Sequence, residues 1–232
     1  MIPTETLSAP SRQNGGNAAR WFAFAGVGGP ILFVLVFTLA GFLRPGYSPT
    51  SQAVSDLGVG PNAWLQNANF VVFGLLLITF AIGFYQGMRS VISRGWLVAC
   101  LILLILSGVG IINGGIFTED PTTVIVHWIG GFLLAFLSPL IVFFIVGWQW
   151  YRDPTWRIAS WYSLITGVMT IALIASLFVF LAPSSPLPIG GLLQRLLVVE
   201  CFAWYVVMGW RLFLRAGSSQ KKTGIAIERE AA

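Results

Sequence analysis

The chain has 232 residues, of which 56% are hydrophobic and only 9% charged, with a mean hydropathy of +0.83. Soluble domains carry roughly a quarter of their residues as charges, so a soluble fold is excluded. The net charge of +5 comes mostly from short flanks between apolar runs, which reports topology and contact with anionic lipid heads, not nucleic-acid binding.

Residues 1–20 are polar and contain Pro3, Pro10, Gly15 and Gly16; they read as a disordered cytoplasmic tail. Apolar runs follow at 21–42, 63–86, 96–117, 123–150, 156–182 and 190–214. Each is long enough to span a bilayer core, which takes about 20 helical residues. The first run is longer than the core of a secretory signal, about 7–15 residues, and reads as a retained span. Residues 215–232 form a basic cytoplasmic tail. The expected fold is all-α: a polytopic membrane protein whose domain at 21–214 is a bundle of six transmembrane helices. With the N terminus in the cytoplasm, eleven of the thirteen basic residues lie on the inner side, leaving Arg44 and Arg195 outside. The positive-inside rule therefore places both termini in the cytoplasm, and the membrane is read as a prokaryotic plasma membrane.

Most connections are short, so sequential helices are antiparallel neighbours. The exception is the stretch from Leu43 to Asn62, which is rich in Pro and Gly and carries Ser48, Thr50, Ser51, Ser55 and Asp56. Its length and polar side chains mark it as a candidate lid or site wall. Close helix contacts are expected at Gly26, Gly28 and Gly29, at Gly110 and Gly114, and at Gly130 and Gly131. Pro30 and Pro139 are expected to free backbone carbonyls that neighbours must satisfy. Cys100 and Cys201 lie at different depths and read as free, buried thiols.

Polar residues inside the spans gather at one end. Gln66, Asn67, Asn69, Asn113, His127, Gln194 and Arg195 all fall within about 10 Å of the outer boundary at 1.5 Å rise per residue, with Asp56, Glu119 and Asp120 above them. Ionisable groups at that depth usually face the bundle interior, paired or lining a wet cavity. Glu200 is deeper, about 15 Å along its helix, and is turned too far from Arg195 to pair with it.

Three motifs carry a resemblance. Tyr47-Ser48 with Val54-Ser55-Asp56-Leu57-Gly58, then Trp64, Asn67 and Gly74, form the first. Gly115-Ile116-Phe117 with Asp120-Pro121 and His127 form the second, and Gly191-Leu192-Leu193-Gln194-Arg195 with Trp204 the third. In this order, over roughly Phe33 to Leu214, they resemble the domain of unknown function 998 family of prokaryotic membrane proteins. That resemblance implies a six-helix fold and no assigned activity. Ser55, Asp56 and Gly58 alone are also similar to an element of eukaryotic autophagy-modulator and glycolipid-anchor-remodelling membrane proteins, some of them associated with lipid handling.

Two structural readings and three functions compete. Asp56 or Asp120 with Arg195 can be an ion pair tying a loop to the sixth helix, and Asn67, Asn113 and His127 can be interhelical hydrogen bonders. As a binding module, Ser55, Asp56, Asn67, Asn113, Asp120, His127 and Arg195 would line a pocket for the head group of a lipid or other amphiphile, with Arg195 suited to phosphate or carboxylate. As an enzyme on a lipid-linked substrate, His127 would act as acid or base, with Asp56 or Asp120 orienting it. One histidine excludes three-His zinc and two-His haem, and no metal or cofactor is expected. As a transporter, the chain would need a polar midplane path, of which Glu200 is the only member. Membrane lipids are the expected partners, with a homo-oligomer possible. The favoured expectation is amphiphile binding at the outer leaflet.

Overall fold

The computed structural model describes the backbone of residues 13–180 and 187–230, and the side chains of 18–180 and 187–218. Among the described residues all regular structure is helical: α1 (Gln13–Leu43), α2 (Ala63–Met88), α3 (Arg94–Ile116), α4 (Val124–Trp150), α5 (Arg157–Phe180) and α6 (Gly190–Glu230). Each contains a segment long and apolar enough to cross a membrane. The expected six-helix, multi-pass architecture is thus the observed one. Helix α1 starts inside the segment read as a tail, and α6 runs on through Glu230. Residues 1–12, 181–186 and 231–232 hold part of both expected tails and the end of the fifth expected span; they lie outside the described residues.

The helices form a ring in chain order. Each packs on its sequence neighbours, α6 closes against α1, and α2 also meets α6 across the centre. Large rings fill the interior: Phe33, Phe73, Phe80, Phe84, Phe143, Phe202, Trp150, Trp204 and Tyr205 are all buried to within 2%. The polar atoms of Trp204 and Tyr205 are matched, since an unpaired group here has no water to turn to, whereas Trp150 Nε1 is buried without a partner. Trp204 Nε1 donates to Ser163 Oγ at 2.9 Å, and the Tyr205 hydroxyl meets Ser107 Oγ at 3.1 Å. Cys100 and Cys201 are free and buried, as expected.

Helix α4 is not uniform. After one α-helical turn its backbone widens to π-helical geometry from His127 to Leu137, and α-helix resumes at Ser138. Pro139 accounts for part of this, since it has no N–H to give the carbonyl four residues back and its ring crowds that carbonyl. The carbonyl concerned is that of Ala135, and Ser107 Oγ of α3 supplies the missing bond at 2.9 Å. This is the neighbour's compensation expected for Pro139.

The close approach of α3 and α4 rests on glycine. A Cβ built on Gly110 would lie 2.7 Å from both the Ala135 nitrogen and the Gly130 carbonyl oxygen. Both are backbone atoms that cannot turn aside. Gly110→Ala should therefore destabilise the bundle by about 1–3 kcal/mol, the usual cost of overpacking, read as a lower thermal midpoint in detergent. Gly95→Ala, where nothing lies within 4 Å, should leave the midpoint unchanged or raise it. Equal midpoints for Gly110→Ala and wild type would mean that α3 and α4 are not packed this closely.

Candidate functional site

The α1–α2 connection folds down onto the end of the bundle remote from the termini. Part of its backbone pairs within the connection itself, and the carbonyls left over must be met by other groups. Arg195 on α6 does this: Nη1 donates to the carbonyls of Pro49 at 2.7 Å, Gln52 at 2.8 Å and Gly191 at 2.9 Å, while Nη2 donates to the Tyr47 hydroxyl. The Tyr47 hydroxyl in turn donates to the Ala53 carbonyl at 2.7 Å, and burial pushes its pKa up. Leu192 N–H, one of the free donors in the first turn of α6, reaches the Thr50 carbonyl at 2.9 Å. Gly191 permits this contact, since a Cβ there would collide with the Gln52 carbonyl oxygen.

With the loop held, the chain enters a 3-10 turn at Ser55–Gly58. Val54 and Leu57 are buried in the core and act as its apolar anchors. The Asp56 carboxylate accepts the Ala53 N–H at 2.8 Å, and Asn67 Nδ2 donates to the Gly58 carbonyl at 3.1 Å, tying the turn to α2. Gln194 Oε1 accepts the Val54 N–H at 2.5 Å. The result is a serine turned inward, only 5% exposed.

Ser55 Oγ donates to Glu119 Oε1 at 3.0 Å. The same oxygen lies 3.4 Å from His127 Nε2, and His127 Nδ1 is 2.7 Å from the Phe117 carbonyl. A carbonyl can only accept, so Nδ1 carries a proton. In a neutral ring Nε2 is then a lone pair, and at 3.4 Å its contact with the carboxyl oxygen is a close approach, longer than a hydrogen bond. Burial first, and then the neighbouring Asp56 carboxyl, push Glu119 up to about 7, while the Ser55 bond works in the opposite direction.

Ser55, His127 and Gln194 form one wall of a cavity whose other walls are Phe33, Val54, Phe70, Ile111, Phe132, Phe136, Val198 and Phe202, with Gly114 and Gly131 at its side. Its volume, about 40 Å³, suits about three water- or methyl-sized groups. Every helix except α5 contributes to it.

Several expected site residues fall elsewhere. Neither Asp56 nor Asp120 meets Arg195, whose guanidinium is held by the loop carbonyls; the proposed carboxylate clasp is replaced by a carbonyl clasp. Asp120 turns away from His127. Its Oδ1 accepts both the N–H and the hydroxyl of Thr122, at 2.9 and 2.6 Å, which holds its pKa below the usual value. Its carbonyl accepts from Thr123 and Val124 at the start of α4, so Asp120 is a turn former. Asn113 packs against Gly130 with its Oδ1 buried and without a partner. Glu200 accepts a bond from Thr170 at 2.9 Å, away from this cluster.

Glu119 and Gln194 belong to the site; the sequence reading placed both in the polar layer without selecting them as ligand-binding or catalytic residues. The signal was there for both: Glu119 lies two residues past the end of α3 beside a loop, and Gln194 sits next to Arg195 at the same depth.

Residues 27–211 fit the family described as Protein of unknown function (DUF998). No curated protein and no solved structure matches the chain.

The Glu119 environment has a consequence for stability. Its folded pKa of about 7 exceeds the ordinary value of 4.5, so the folded state binds the proton more tightly than the unfolded chain does. Stability is then highest below about 4.5, falls as pH rises toward 7 and levels off above it. The thermal midpoint in detergent should drop by several degrees between pH 5 and pH 8, and Glu119→Gln should flatten that drop. An unchanged slope in the variant would assign the dependence to another group.

Proposed function

The chain belongs to the DUF998 family, which carries no assigned activity, and we propose its function from the site itself: it binds a membrane amphiphile at the junction of polar head and apolar chain. The observation that supports this is the two-sided cavity. A hydroxyl, an imidazole and an amide stand on one side, and phenyl rings on the other. Pockets of this kind fix orientation with a few polar groups and gain affinity from apolar contact. The cavity is too small for a whole lipid and is sized for the few atoms where a head group joins its chain. Arg195 takes part indirectly, by holding the loop that carries Ser55.

We further propose that both termini face the cytoplasm and that the site opens toward the outer leaflet of a prokaryotic plasma membrane. The distribution of basic residues supports this. At the end of the bundle that holds the termini Trp21, Trp96, Trp148 and Trp210 are exposed, an interfacial belt of the kind either membrane face carries. There Arg20 lies 4.0 Å from the centre of the Phe213 ring, and Arg211 lies 4.7 Å from that of Trp156.

Native mass spectrometry tests the binding. Val198 is buried and lines the cavity, so Val198→Phe fills it while Val198→Ala enlarges it. Mildly solubilised wild type and Val198→Ala should carry a discrete amphiphile that Val198→Phe lacks. Equal loading of a folded Val198→Phe would place the ligand elsewhere. Orientation is tested by fusing a reporter to the C terminus: a fluorescent protein should glow and a phosphatase that needs the periplasm should stay inactive, and the opposite pattern would invert the assignment.

A further inference from the structure

We propose that Ser55, Glu119, His127 and Gln194 form a covalent acyl-transfer centre that cleaves an ester at the head–chain junction of the bound amphiphile, an inference that rests on the binding reading above. The four side chains come from the α1–α2 loop, the α3–α4 loop, α4 and α6. Three of them line the cavity, and Glu119 stands behind the wall.

Each has a distinct place. Ser55 Oγ faces the cavity and already gives its hydrogen to a carboxyl oxygen at 3.0 Å, the arrangement of a nucleophile with its base. The base is buried among poorly solvating neighbours and has a pKa of about 7, close to what general-base catalysis at neutral pH requires. His127, anchored through Nδ1 on the Phe117 carbonyl, packs 3.4 Å from the same carboxyl oxygen that Ser55 meets and limits where the base can move; it is a positioning residue. Gln194 is oriented by its bond to the Val54 N–H, and its Nε2 stands 3.5 Å from Ser55 Oγ. That places an N–H where the oxygen of an attacked carbonyl would develop negative charge.

The reaction balances with water as the only co-reactant. Ser55 Oγ bonds to the ester carbonyl carbon as its proton passes to Glu119, and the resulting oxyanion meets Gln194 Nε2–H. Collapse breaks the bond from the carbonyl carbon to the alcohol oxygen, and Glu119 returns the proton to that oxygen, so the alcohol leaves and the acyl group remains on Ser55. Water then attacks the same carbon while Glu119 accepts its proton. Ser55 departs with that proton, and a carboxylic acid is released. The apolar wall holds the first carbons of the acyl chain throughout.

The charged or titratable groups facing Glu119 are the Asp56 carboxyl from its loop and the His127 imidazole from α4. Glu119 must be ionised to accept the serine proton, so the rate should rise with pH up to about 7 and then level off.

The test uses a long-chain alkyl fluorophosphonate, which reacts by Oγ–P bond formation with loss of fluoride. Detergent-solubilised protein should gain one phosphonyl adduct by intact mass, mapped by digestion to Ser55. Ser55→Ala should gain none, and Glu119→Gln should label at least ten-fold more slowly and lose the pH dependence. Should Glu119→Gln fail to fold, the pH profile of the wild type still decides. No adduct at Ser55 in protein that retains its amphiphile would overturn the chemistry and leave the binding reading standing. A labelling rate indifferent to pH between 5 and 8 would remove Glu119 as the base. Absence of both adduct and bound amphiphile would overturn both.

Discussion

Loop backbone packed against a membrane-spanning bundle has to find its hydrogen-bond donors within the protein, and Arg195 supplies them for the α1–α2 connection. A guanidinium offers five N–H donors in a fixed plane. Here one nitrogen serves two loop carbonyls and the Gly191 carbonyl of its own helix, and a second holds the tyrosine that secures a third loop carbonyl. Much of the rest depends on this clasp. It seats the loop on the glycine-bare start of α6, which brings Val54 within reach of Gln194 and directs the following turn inward. Ser55 is buried because Arg195 is satisfied.

A second dependence runs through α3 and α4. The last carbonyls of a helix have no partners within it, and at the end of α3 the Phe117 carbonyl is met by His127 from the neighbouring helix. That bond needs the two backbones to approach closely, which Gly110, Gly114, Gly130 and Gly131 allow. It also coincides with the start of the wide π-helical stretch of α4. Such departures from regular helix are frequent at functional sites. The placing of His127 beside Glu119 thus follows from how one helix ends and how another widens.

The six spans were legible because apolar length leaves a chain of this composition no alternative in water or lipid, and their observed ends agree with the reading to within a few residues for α2 to α4. The layer of polar residues at one end was legible from helical rise alone. What was misread there turned on direction. Glu119 and Asp120 are adjacent in sequence, yet Asp120 turns outward to Thr122 and starts α4, while Glu119 turns inward to Ser55 and His127. Depth along a helix can be counted from sequence, whereas the direction of a loop side chain depends on which neighbour offers it a proton. Arg195 was correctly placed at the site end, but its partners are loop carbonyls, which every residue possesses and no sequence pattern can distinguish.

Composition, apolar length and the distribution of Lys and Arg by themselves determined that this is a six-span membrane protein with its polar groups at one end, because the cost of placing charge or unpaired backbone in hydrocarbon is large and local. Tertiary structure alone decided that Ser55, Glu119, His127 and Gln194 meet around one phenyl-lined cavity. They come from four segments far apart in the chain. Their convergence depends on the carbonyl clasp, the glycine contacts and the widened turns of α4 acting together, and none of these is a property of any one segment.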